Sequence, residues 1–187
     1  MAVSANDIQY MRAASSAGCF YSAATSVSAP TDASTALTSY TSLGYVSVDG
    51  LKMTIGNEEV NLEDWTGDEV LSFVSKQTVE FTIKPLCFMD ENYLKERFGA
   101  SNVTVSGGAV SKFCVKTGDL PNKRYVFEMA TRQGGKCRIV VLNGKVAGDV
   151  EYNFDPQNPT ASDWTIKAMP DSTGVKVWVY FAAPASS

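Results

Sequence analysis

The sequence predicts a mainly β fold, a β-sandwich or barrel of short antiparallel strands with one flanking α-helix. Two segments alternate strictly: Leu51, Met53 and Ile55 around Lys52 and Thr54, then Val79, Phe81 and Ile83 among Thr78, Glu80, Thr82 and Lys84. That is the period of half-buried strands. Downstream, short apolar runs are cut at close intervals by glycine, proline and asparagine, the cadence of hairpins. In between, Leu86, Met89, Tyr93, Leu94 and Phe98 fall at the spacing of one amphipathic helix.

From the N-terminus, residues 1–38 are dominated by Ala, Ser and Thr. Side chains this small bury too little area to offset the entropy of ordering, so a flexible arm is expected. Phe20 and Tyr21 interrupt it and read as an anchor, docking either on this domain or on a neighbouring copy. Residues 39–181 form the single β domain that a chain of 187 residues supports, and 182–187 a short tail.

Between the two alternating segments, Asn57, Glu58, Glu59, Val60, Asn61, Leu62, Glu63, Asp64, Trp65, Thr66 and Gly67 are acidic and without period. A long loop leaving the core is expected there, returning through Val70 to Val74. Pro85 ends the second strand because proline cannot donate to the ladder. Asp90 is placed to cap the helix and Gly99 to close it. Further strands are expected near Val103 to Val105, Lys112 to Lys116, Arg124 to Thr131, Lys136 to Leu142, Val150 to Phe154, Asp163 to Ala168 and Val175 to Phe181. Turns are expected at Gly107-Gly108, Gly134-Gly135, Asn143-Gly144 and Asp171 to Gly174, among others.

Composition narrows the function. The chain is 44% hydrophobic and 19% charged, the balance of a globular protein. No apolar run reaches the roughly 20 residues of a membrane-spanning helix, and no basic-then-apolar secretory leader is present. No membrane partner and synthesis in the cytoplasm are therefore expected. The net charge is -4 and the 16 Lys and Arg are scattered, which argues against tight phosphate binding. Cys19, Cys87, Cys114 and Cys137 are far apart and read as buried free thiols.

Nothing in the sequence assembles a catalytic or metal site. There is no histidine, which removes the commonest general base and metal ligand. The pairs Glu58-Glu59, Glu63-Asp64, Asp68-Glu69 and Asp90-Glu91 are adjacent, and adjacent side chains on a strand point to opposite faces. They read as solvated surface. Trp65, Trp164, Trp178 and Tyr180 read as core or interface residues, with a ligand platform as the other possibility. No enzyme activity and no cofactor are expected.

One family shares the order of these features. Pro30-Thr31-Asp32 and Ala36-Leu37 precede Leu43-Gly44-Tyr45-Val46-Ser47 and Asp49-Gly50-Leu51; then come Trp65 with Gly67 and the strand Val79 to Ile83. Arg97-Phe98-Gly99 follows, ahead of Asn102-Val103, and Ile166 to Asp171 with Gly174 lies near the C-terminus. In this order the chain resembles, from about Thr31 to Phe181, the major tail (tail tube) proteins of long-tailed, non-contractile bacteriophages.

The resemblance implies a structural virion protein whose copies form hexameric rings that stack into a hollow tube for genomic DNA. It implies a flanking helix carrying Met89, Tyr93, Leu94 and Phe98, and a loop from Asn57 to Gly67 that reaches the next ring with Trp65 as its apolar anchor. Implied partners are other copies of the chain, a tape measure protein inside the tube, tail terminator and distal tail proteins, and DNA passing without specific binding. Implied location is the virion tail, assembled in the host cytoplasm. Alternatives are a β-sandwich carbohydrate-binding or adhesion module, and the tube protein of a contractile or type VI-like secretion system.

Overall fold

Alternation and turn chemistry produce a large antiparallel sheet, seen in a computed structural model that describes residues 8–15 and 18–184. Its strands are β1 (Met11–Ala13), β2 (Phe20–Ala24), β3 (Thr41–Ser42), β4 (Val46–Glu63), β5 (Glu69–Pro85), β8 (Lys123–Thr131), β9 (Lys136–Ala147), β10 (Trp164–Met169) and β11 (Val177–Ala182). They run in the order β3-β2-β8-β9-β10-β5-β4, with β1 on β8 and β11 on β9. A separate hairpin, β6 (Val103–Ser106) and β7 (Ala109–Phe113), turns through Gly107 and Gly108 at φ 61° and 79°. Two successive positive φ values are what a tight two-residue hairpin needs.

The one α-helix among the described residues, α1 (Glu91–Phe98), forms where the spacing predicted it. The Asp90 carboxylate accepts from the amides of Asn92 and Tyr93 at 2.9 and 3.0 Å, satisfying two donors the first turn leaves open. Gly99 turns the chain out at φ 93°. Tyr93 and Leu94 are fully buried and Phe98 packs on the core, whereas Met89 precedes the helix and is largely exposed. The helix is one turn shorter than its apolar spacing suggested, because Asp90 starts it after Met89.

The core is aromatic. Phe20 stacks on Phe127 at 5.1 Å, Phe127 on Phe81 at 5.3 Å, and Trp164 tilts over Tyr93 at 4.7 Å. The Trp164 indole donates to the Tyr93 hydroxyl at 3.3 Å, which donates onward to Tyr152 at 3.1 Å, so these buried polar tips are paired.

Four expectations are corrected. The arm foreseen over residues 1–38 contains β2, whose Phe20 is 0% exposed and paired with Phe127 across the sheet. Its residues 32–35 are also held, by the buried Arg138 guanidinium, which donates to the Asp32 and Thr35 carbonyls at 2.8 and 2.7 Å and pairs with Glu128. One aromatic inserted into the sheet outweighs the small side chains around it; residues 1–7, 16 and 17 of the arm lie outside the described residues.

Asn143-Gly144 is no turn: both lie within β9. Residues 150–154 form no strand, because Tyr152 and Phe154 pack sideways on Phe88 at 5.0 and 5.7 Å. Of the thiols, Cys137 is buried but Cys114 is exposed, in the loop after β7.

Candidate assembly interface

β4 and β5 extend far beyond the core as one hairpin. The segment from Asn57 to Gly67, expected as a loop, is strand through Glu63, paired with β5 down to Glu63 opposite Glu69. The sequence concealed this because no apolar residue occupies 57–59 and the period restarts afterwards out of phase.

That phase change is the central feature of the site. In β4 the apolar residues are odd-numbered near the core (Leu51, Met53, Ile55) and even-numbered beyond it (Val60, Leu62). Cross-strand partners share a face, and successive residues alternate. Near the core, Met53 and Ile55 lie opposite Phe81 and Val79 and share their face, although both side chains remain about half exposed. Farther out, Val60 pairs Phe73 and Leu62 pairs Leu71, so four apolar side chains occupy the opposite face of the ribbon.

β5 reaches the same arrangement by geometry. Its apolar residues Leu71, Phe73, Val79, Phe81 and Ile83 are all odd-numbered, but Ser75 is an extra residue between Lys76, opposite Glu58, and Val74, opposite Glu59. This β-bulge reverses the facing of everything beyond it. The Ser75 hydroxyl secures the bulge by donating to the Glu58 carbonyl at 3.0 Å. Val60, Leu62, Leu71 and Phe73 are 45 to 56% exposed, an apolar patch that the subunit itself leaves uncovered.

The tip is ordered by Asp64. Its carboxylate accepts from the Thr66 amide at 2.7 Å, the Thr66 hydroxyl at 2.6 Å and the Asp68 amide at 3.1 Å. These bonds, the hydroxyl's first, hold the Asp64 carboxyl below the usual carboxylate range. Gly67 completes the turn at φ 86° and leaves Trp65 103% exposed.

The expected site residues therefore separate. Asn57 to Gly67 share one projecting element, but the apolar patch joins only Val60 and Leu62 from it to Leu71 and Phe73, which sequence reasoning left out. Their signal was present in the run Val70-Leu71-Ser72-Phe73-Val74. Phe20 belongs to the core, Tyr21 half-buries against a second, smaller cluster around Val126, Val140 and Leu142, and Tyr93, Leu94 and Phe98 pack inward. Among the described residues of the large sheet, β1, β3, β4 and β11 each pair on one side alone, and β4 is by far the longest of these open edges.

A family described as phage tail tube protein matches residues 3–179. This chain belongs to the phage tail tube protein family. No curated protein matches its sequence. Among solved structures, the tail tube protein is similar to the anti-feeding prophage cap (AFP tube terminating cap), with 14% identity, TM-score 0.47, and coverage of 97% of this chain and 100% of that one. It is also similar to a chain of the PVC extracellular contractile injection system sheath-tube complex in the extended state, with 8% identity, TM-score 0.40 and 88% of each chain covered.

Family membership gives the tail tube protein a structural role, for which open edges and an uncovered patch are suitable and a reaction centre is unnecessary. Among the described residues no group of three or more acidic or thiol side chains could hold a metal ion, and no helix is long and apolar enough to cross a membrane.

Proposed function

We propose that this tail tube protein forms hexameric rings that stack into the hollow tail tube of a non-contractile phage, and that genomic DNA passes through the lumen. The observation that carries the reading, beyond family membership, is the open outer edge of β4 along a strand of 18 residues. An unpaired strand edge of that length is a template for another chain, and ring closure removes it. Sheets joined edge to edge would line the lumen. A net charge of -4 suits a wall along which phosphates slide instead of sticking. Trp65 and the hairpin around it supply contacts to other copies. A tape measure protein would occupy the lumen during assembly, with terminator and distal tail proteins closing the two ends.

Electron microscopy of the purified chain at high concentration tests the reading. Hollow sixfold shafts are expected. A chain that stays monomeric, in a phage whose particles contain it but lack a shaft, would overturn it, and a sheath surrounding the native tube would assign it to a contractile system instead.

A further inference from the structure

β9 changes partners part-way along. On the side away from β8, residues Lys136 to Val141 pair with β11 and residues Asn143 to Ala147 pair with β10. The large sheet is therefore folded into two layers that share β9. One holds β2, β8, the first half of β9 and β11; the other holds β4, β5, β10 and the second half of β9. Phe127 of the first layer stacks on Phe81 of the second, and the core lies between them.

The outer faces of the two layers differ. On the first, Val126, Val140 and Leu142 are buried beneath Leu37, Tyr40 and other residues of the segment before β3. On the second, Phe81, Ile83, Trp164 and Ile166 point inward and are buried, whereas Thr82, Lys84, Thr165 and Lys167, which alternate with them, are all half-buried or exposed. Alongside residues 52–56 of β4 this face is polar except for Ala147 and Met169. Lys167 pairs with Glu80 at 3.5 Å and Lys145 with Asp119 at 3.0 Å. Lys52 and Lys84 complete its charges, and Asp163 stands one residue beyond the Trp164–Ile83 pair, level with Lys84. The face is thus close to neutral. The acidic excess of the chain lies elsewhere, since residues 57–75 alone carry six carboxylates and no Lys or Arg.

Both layers have open edges, but the longest by far is β4, in the second layer. The opposite side of that layer, β9 beyond Gly144, is also unpaired among the described residues, because Gly144 is the last to pair with β8. Edge-to-edge closure of a ring therefore runs through the second layer. A closed wall has its smaller circumference inside, and diameter grows with what it must hold. The second layer has nothing over its outer face, whereas the first has the segment before β3 over it and α1 tied to β2 and β8 at its flank. The larger radius accommodates that bulk, which turns the bare face toward the axis.

Resting on the tube reading above, we propose that the bare face of β4, β5, β10 and the second half of β9 is the lumen wall, and that the segment before β3 lies on the outside of the tube. Passing DNA then meets threonine hydroxyls and lysines already held by carboxylates, which offer its phosphates little net attraction. The sliding inferred from net charge resides in the charge pairing of this one face.

The test uses full-length chains in which the exposed Cys114 is replaced by serine and one new thiol is introduced, by Lys167→Cys on the bare face or by Thr31→Cys in the exposed segment before β3. Each is treated, as monomer and as tube, with a small maleimide and with a maleimide carried on a polymer wider than the lumen. Monomers should react with both reagents at both positions. In tubes, Thr31→Cys should keep both reactions and Lys167→Cys should lose the polymer reaction alone. Thr82→Cys, on the neighbouring strand of the same face, repeats the measurement should Lys167→Cys fail to assemble. Polymer labelling of the bare face undiminished by assembly, or its loss at Thr31→Cys instead, would overturn the proposal while leaving the tube intact. Loss of the small reagent as well at Lys167→Cys would put the face in a contact between subunits and overturn it too. An unaltered chain that never leaves the monomer would overturn both this and the tube reading.

Discussion

The ring of Tyr125 lies against the bare Cα of Gly144: a Cβ at that glycine would come within 2.6 Å of ring carbon Cδ2. Gly144 is therefore required inside β9 by the approach of a fully buried aromatic and not by a turn. Gly144→Ala should lower unfolding free energy by about 2 kcal/mol, the scale of overpacking in a filled core. Urea denaturation checks it; an unchanged midpoint would show that the ring moves aside freely.

Glu96 is a buried carboxylate that accepts from Ser22 Oγ at 2.8 Å, Tyr125 Oη at 2.7 Å and Lys123 Nζ at 2.6 Å. It ties α1 to β2 and β8. Glu96→Ala leaves two buried hydroxyls without an acceptor and should cost about 3 kcal/mol. Glu96→Gln, which keeps an acceptor, should cost clearly less in the same denaturation experiment, and equal losses would mean that packing alone matters there.

Asp32 gives a pH signature. Hydrogen bonds from the Thr35 hydroxyl and from the Thr35 and Ser34 amides lower its carboxyl from 3.8 to about 2. A depressed folded-state value means that the stabilisation is present above pH 3.8 and is lost as pH falls through about 2. The Thr35 amide resonance should titrate with a midpoint near that lower value. A midpoint at the ordinary carboxylate value would mean that the turn does not hold.

Arg138 joins the segment before β3 to the sheet through two carbonyls and Glu128. Arg138→Met removes the charge but keeps much of the bulk, and should cost about 2 to 4 kcal/mol by leaving Glu128 and the two carbonyls unpaired. Residues 32–35 should then become susceptible to limited proteolysis before the rest of the fold. Uniform protection would assign the anchoring to other contacts.

Trp65 touches little of its own subunit. Trp65→Ala should leave the melting temperature of the monomer unchanged, as exposed positions shift stability by about 0.5 kcal/mol or less. Tube yield should fall severalfold, because large aromatics carry a disproportionate share of interfaces. Normal tubes from the variant would remove Trp65 from the contact.

The parts of this fold legible in sequence were those whose periodicity is unbroken. Val79 to Ile83 alternates cleanly and is strand; Asp90 and Gly99 bracket α1 as their chemistry requires. The hairpin was misread as a loop because its apolar phase shifts after Ile55, so that no single window contains a consistent alternation. β2 was hidden among alanines and serines, where one phenylalanine supplies the burial that composition averages away. Gly144 was misread because an Asn-Gly pair signals a turn locally, while the need for a bare Cα came from Tyr125, far away in sequence. Glu96 and Arg138 left no local trace, since a buried charge is recognised only by its partners.

Ser75 separates direction from chemistry in the projecting arm. β4 already fixes which side chains lie on which side, so removing Ser75 would keep the oily quartet together yet straighten the ribbon where the extra residue bends it. On the proposed tube reading, two controls would then be independent: substitutions that set how strongly a subunit grips another copy, and single-residue insertions that set the angle at which it reaches.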